Sequence, residues 1–186
     1  MKTLYGPYTQ ILTMRDIPLR GALQNEQIEV ITEAGILTSN GYILKVGNFL
    51  ELKKEADEVH EVEQPSVAVP GLIDCHTHLI WGGSRASDFE KRNSGYSYQE
   101  ILEEGGGIYE TVRKTRAASD EELMKNLIQR LDKQVSTGIT TVEVKSGYGL
   151  SDHDEIRLLH LINQVSEHVP ATVIPTFLGA HVCPID

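Results

Sequence analysis

AVPGLIDCHTH, residues 68–78, sets a proline and a glycine ahead of a brief apolar run that ends in residues able to do chemistry. That order suits a buried strand whose carboxyl end opens on a site. The character of the chain changes at Val67, and the fold can be read outward from there. TGITTVEVKSGYG, residues 137–149, is rich in β-branched residues and bounded by glycines, the pattern of a second buried strand; ATVIPTFLGAH, residues 171–181, reads as a third. Ser97 with Glu100, and Ser119 with Glu122, have the Ser-x-x-Glu spacing of capping boxes and open two helices between the first two strands. In the second of these, Leu123, Leu127 and Leu131 recur at helical spacing, and Ile128 and Val135 widen the stripe. A further helix is expected over roughly 152–167, carrying Ile156, Leu159 and Ile162. Strand, helix, strand, helix, strand is the grammar of a parallel α/β sheet. The three strands end in HTH, KSGYG and GAH, and successive parallel strands gather functional groups at their carboxyl ends.

Upstream of Val67 the chain reads differently. QIEVI (27–31), GILTS (35–39) and YILKVG (42–47) are the extended runs, with Asn40-Gly41 as a hairpin turn. ELKKEADEVHEVE (51–63) reads as a solvated connector or short helix. The expected division is a β-rich segment over 1–66 and an α/β segment over 67–186. With 27 acids against 17 bases the net charge is −10, which argues against a nucleic-acid partner. A hydrophobic fraction of 40% and a charged fraction of 24% are those of an ordinary globular protein. Cys75 and Cys183 are too few for a disulfide framework and lack the short paired spacing of a zinc knuckle or redox motif, so a reducing compartment is favoured. MKTLYGPYTQ lacks the apolar core of a signal peptide and no run approaches the ~20 apolar residues that span a bilayer, so the cytoplasm is the expected location and no membrane partner is expected.

His76-Thr77-His78 is the sharpest chemical signal. Residues two apart on a strand face the same way, and two imidazoles so placed can bind one zinc or iron ion. Two structural or surface histidines are the alternative. Asp74 shares their face and could orient a histidine, or simply cap or pair locally. Glu143 and Lys145 also share a face and are expected to pair with each other, because buried charges need partners. Gly105-Gly106-Gly107 lacks the lysine of a phosphate loop and reads as a mobile pocket loop. Tyr148 sits between glycines in an exposed turn where its hydroxyl could meet a ligand. His60, His153, His160 and His168 have no chemical companions nearby in sequence and are expected at the surface or packed on helices.

PGLIDCHTH is similar to the first-strand motif of the amidohydrolase superfamily. With GGSR (82–85), GYSY (95–98), EEGGGI (103–108), TRAAS (115–119), EVKSGYGL (143–150) and TFLGAH (176–181), the chain resembles the imidazolonepropionase family from about residue 67 to 182. The resemblance implies a partial (β/α)8 TIM-like metallo-hydrolase barrel, of which this chain would hold the first three strands, preceded by a small β-rich, sandwich-type segment. It implies a single divalent metal ion, zinc or iron, with His76 and His78 as its first two ligands, the others coming from later strands. It implies Arg85, Tyr148 and His181 as substrate contacts, Arg85 gripping a propanoate arm. A positioned His181 imidazole could donate to the carbonyl oxygen as it gains charge, a catalytic role, and Tyr98, in the first turn of its helix, could help close the pocket or simply pack as a helix aromatic. The implied reaction is hydrolysis of 4-imidazolone-5-propanoate to N-formimidoyl-L-glutamate in histidine degradation. The expected partners are that small molecule and, for a full-length protein, a second copy in a homodimer. The alternatives are another amidohydrolase, a cyclic amidase or deaminase, and an inactive fragment that lacks the later metal ligands.

Overall fold

A hairpin anchors the first part of the chain. Asn40 and Gly41 have φ of 51° and 80°, and two successive positive values make the primed turn whose twist matches antiparallel strands. They join β2 (Val30–Ser39) to β3 (Tyr42–Asn48). The structure, a computed structural model, describes residues 1–184 and divides into two compact units, Met1–Pro70 and Gly71–Asp186. Positions 185 and 186 of the expected α/β segment lie outside the described residues.

The first unit is a β-sheet in the order β3-β2-β1-β4, with β1 spanning Lys2–Leu12 and β4 Glu58–Glu61; a short β5 (Val67–Ala68) also pairs with β1. β1, the longest strand, was not among the expected extended runs. Gly6-Pro7 breaks its alternation, and the ladder to β2 shifts register between Tyr5 and Tyr8. QIEVI divides between a 3-10 turn at Asn25–Gln27 and the start of β2. The charged run 51–63 likewise divides, its first two residues closing a short helix α1 (Phe49–Leu52) and its later ones forming β4. Asn48 starts α1 by accepting from the Leu50 and Glu51 amides. Phe49 and Leu52 then pack on Leu4 and Leu37 to make this unit's core.

The second unit carries three parallel strands, β6 (Leu72–Thr77), β7 (Ile139–Lys145) and β8 (Thr172–Thr176), in that order across the sheet. Thr77 pairs with Val144 and Val144 with Pro175, so the three carboxyl ends stand level. Four helices separate β6 from β7 rather than two: α2 (Ala86–Asn93), α3 (Tyr98–Glu103), α4 (Gly107–Ala117) and α5 (Asp120–Ser136). Ser97 and Glu100 close the expected reciprocal cap of α3, and Ser119 accepts from the Glu122 amide at α5. The triple glycine is not a free loop, because Gly106 caps α4 and Gly107 is its first residue. Asp88 fixes it by accepting from the Gly107 amide at 2.9 Å.

Leu123, Leu127 and Leu131 are fully buried along α5, and with Val142, Val144, Leu158 and Ile162 they form the core. Each buried leucine contributes about 1.5–3 kcal/mol from its removal from water. α6 (Asp152–Ser166) turns Leu158, Leu161, Ile162 and Val165 inward, whereas Ile156, expected on that stripe, is 51% exposed. β6 was expected to be buried and is not: Leu72 is 56% and Ile73 70% exposed. It forms one edge of this sheet, so only β7 flanks it among the described residues.

Candidate active site

The level strand ends bring four rings together. His78 follows β6 directly, Tyr148 lies in the turn after β7, and His181 lies beyond β8. The His78 and His181 rings stack with centroids 4.5 Å apart, Tyr148 stands 5.5 Å from His78 and 5.3 Å from His181, and His76 is 5.8 Å from His78. The turn after β7 is tied to β8 by the Ser146 amide, which donates to the Thr176 carbonyl at 3.0 Å. Ser146 Oγ accepts from the Leu178 amide, also at 3.0 Å. Thr77, facing away from the two histidines, donates to the Glu143 carbonyl at 2.5 Å.

Burial holds the His78 imidazole below its ordinary pKa, with the neighbouring His181 adding to the effect and the Ser146 backbone opposing it. His78 Nδ1 is buried, and among the described residues no group meets it with hydrogen-bonding geometry. A neutral imidazole with an orphaned ring nitrogen is the form that ligates a metal ion. Asp74 does not reach either ring: its Oδ1 accepts from the His76 backbone amide at 3.2 Å, the local cap that was the alternative reading. Among the described residues, no group of three or more His, Cys, Asp or Glu side chains is placed to hold a metal ion.

Burial also raises the Tyr148 phenol, and the positive charge of Arg85 acts against that rise, placing the guanidinium in the same neighbourhood. Arg85 caps α2 and donates Nε to Thr111 Oγ1 at 2.9 Å. Among the described residues its terminal nitrogens meet no hydrogen-bonding partner, and their planar fork has a shape that matches a carboxylate. Gly82 and Gly83 serve a tighter purpose than flexibility. A Cβ on Gly82 would stand 2.7 Å from the Lys114 carbonyl oxygen, and Gly83 has φ of 76°. The Gly82 amide donates to Thr115 Oγ1, docking this loop on α4. Arg130 of α5 secures the same loop, donating to the Leu79 and Trp81 carbonyls and lying 3.4 Å over the Trp81 ring.

Tyr98 stands apart from the four rings. It opens α3, is 54% exposed, and approaches Arg85 only indirectly: Asp88 lies 3.9 Å from Arg85 Nε and binds Gly107, and the Tyr98 hydroxyl is 3.8 Å from where a Gly107 Cβ would be. Glu143 and Lys145 pair with each other as expected; hydrogen bonds from Lys145 and then Thr176 hold the Glu143 carboxyl below its usual range. His60 stacks on Tyr5, His168 lies just beyond α6 with its Nδ1 2.8 Å from the Gln164 carbonyl oxygen, and His153 and His160 are exposed.

Sequence reasoning missed Asp88, Thr111, Arg130 and Glu155. Each lies in an ordinary polar helix run with nothing in its spacing to mark it. Asp88, Thr111 and Glu155 are buried all the same.

No protein-family model matches the chain. Among curated proteins it is 44% identical over 162 residues to an imidazolonepropionase of Caldanaerobacter subterraneus subsp. tengcongensis, covering 86% of this chain and 38% of that one. Against the imidazolonepropionase of Yersinia enterocolitica it is 40% identical, covering 87% and 40%. Against that of Alteromonas mediterranea it is 50% identical over 127 residues, covering 67% and 30%. The chain thus spans about two fifths of the length of the first two relatives. Among solved structures it resembles Arthobacter aurescens triazine hydrolase, with a TM-score of 0.59, 16% identity and 95% of this chain against 35% of that one. It also resembles guanine deaminase from C. acetobutylicum, with a TM-score of 0.53, 13% identity and 93% against 36%. At such identities the likeness is one of fold.

Proposed function

We propose, from the premise that this chain belongs to the imidazolonepropionase family over the stretch it shares with its relatives, that it carries the substrate-gripping part of a cyclic-amide hydrolase. The reaction adds water across the lactam carbon–nitrogen bond of 4-imidazolone-5-propanoate: hydroxyl goes to the carbonyl carbon, hydrogen to the departing nitrogen, and N-formimidoyl-L-glutamate results. Histidine degradation in the cytoplasm is the setting this chemistry fits, with a homodimer as the assembly of the full-length protein. The observation that carries the reading is the meeting of His78, His181 and Tyr148 at level strand ends.

His76 and His78 would hold one divalent ion, zinc or iron; the orphaned Nδ1 of His78 fits that role. Such an ion supplies Lewis acidity toward a carbonyl group and toward water. The chain's own residues do the rest. Arg85 pairs its free guanidinium edge with the propanoate. Tyr148, a phenol whose ionisation burial makes still harder, donates a hydrogen bond to the substrate. His181 donates Nδ1–H to the Gly147 carbonyl at 2.9 Å, which leaves Nε2 to face the reacting group. Tyr98 would border the pocket from α3.

Purified protein offered imidazolonepropanoate, a hydantoin and dihydroorotate, with metal content measured alongside, tests the reading. Preferential turnover of imidazolonepropanoate with about one ion bound per active chain is the expected outcome. Preference for either other ring would make it a different amidohydrolase, and a chain with neither ion nor turnover would be an inactive fragment.

A further inference from the structure

The turn that carries Tyr148 is held in a conformation its residues do not favour on their own. Gly147 and Leu150 have φ of 103° and 56°, and a leucine in that region persists only where its surroundings impose it. The imposing group is Glu155, 1% exposed and the fourth residue of α6. Its Oε2 accepts from the Gly147 amide at 2.6 Å, and its Oε1 accepts from the Gly149 and Leu150 amides at 2.8 Å each. Three backbone donors thus converge on one buried side chain.

Gly147 carries this grip onward. Its carbonyl is the acceptor for His181 Nδ1, and a Cβ at Gly147 would stand 3.0 Å from that nitrogen. A carbonyl only accepts, so the bond selects the Nδ1–H tautomer of His181. Tyr148, next in sequence, has its ring 5.3 Å from that of His181.

We infer that Glu155 is the positioning residue of the site: through the Gly147–Leu150 backbone it fixes both where Tyr148 stands and which tautomer His181 presents. The inference rests on the reading of Tyr148 and His181 as substrate contacts, but its test does not need turnover. Glu155→Gln keeps the side chain's size and replaces one accepting oxygen by a donor, so at least one of the three amides loses its partner.

In nitrogen–proton spectra at a pH where His181 is neutral, with its signal assigned by loss in His181→Asn, the unmodified protein should show the Nδ1–H form. Glu155→Gln should show a mixture of tautomers, and its Gly147 amide should exchange with solvent ~10-fold or more faster, as expected for a lost hydrogen bond to a charged group. A folded Glu155→Gln protein whose His181 remains wholly Nδ1–H overturns the inference. Should that variant fail to fold, the unmodified protein decides: protected Gly147, Gly149 and Leu150 amides support the inference, and amides exchanging as fast as an open loop overturn it. Substrate preference is read in a separate assay, so a wrong substrate leaves this result standing.

Discussion

His78 has a buried ring nitrogen with no partner among the described residues, an arrangement that costs about 1–3 kcal/mol unless something occupies it. Under the proposed metal role, removing either imidazole should weaken ion binding. His78→Ala and His76→Ala are each expected to lower zinc or iron affinity by at least ~10-fold, the loss that even an outer partner of a ligand can carry, measured by metal titration. Arg85→Lys removes the planar fork and the bond to Thr111 while keeping the charge. Under the proposed substrate assignment, its expected result is a KM for imidazolonepropanoate raised ~10-fold with kcat changed less, the pattern of lost ground-state binding. His76, His78, Tyr148, His181 and Arg85 were all legible as candidates because strand ends and family-like motifs mark them. Glu155 and Asp88 were not. An acid in SDHDE or ASDFE looks like any solvated helix start, and only the tertiary path of a neighbouring backbone turns it inward.

At the level of elements, periodicity and capping carried most of the information. Leu123, Leu127 and Leu131 read as one stripe and form one buried row. Leu127→Ala should cost about 2–5 kcal/mol, read from urea unfolding, because the space it leaves is walled by other core side chains. Ser119→Ala should cost about 1 kcal/mol in the same experiment, the usual value of an N-cap. α4 escaped sequence reading because it is entered through three glycines, the last its first residue, and glycine is poor at forming helices; here Asp88 supplies the capping contact that their side chains cannot. β1 escaped for a related reason, as Gly6-Pro7 interrupts a strand that its partners on both sides nonetheless complete.

On the scale of the whole molecule, the net charge of −10 and the open sheet edge act in opposite directions. Charge keeps copies apart, whereas Leu72 and Ile73 along β6 offer apolar surface beside unpaired backbone. Ile73→Lys is expected to change unfolding free energy by less than about 0.5 kcal/mol, as exposed substitutions do. It should also reduce self-association, and sedimentation at rising salt, where charge repulsion is screened, is the measurement that shows it. Unchanged association in the variant would move the responsible surface elsewhere.

Arg130 lies against the face of Trp81, the chain's single tryptophan, on the segment that leaves His78 for Arg85. The protein therefore carries its own optical probe. Light emitted by that indole comes from one place, three residues beyond a metal-binding candidate, so any event that shifts the segment should register as a change in colour or intensity without a label being added.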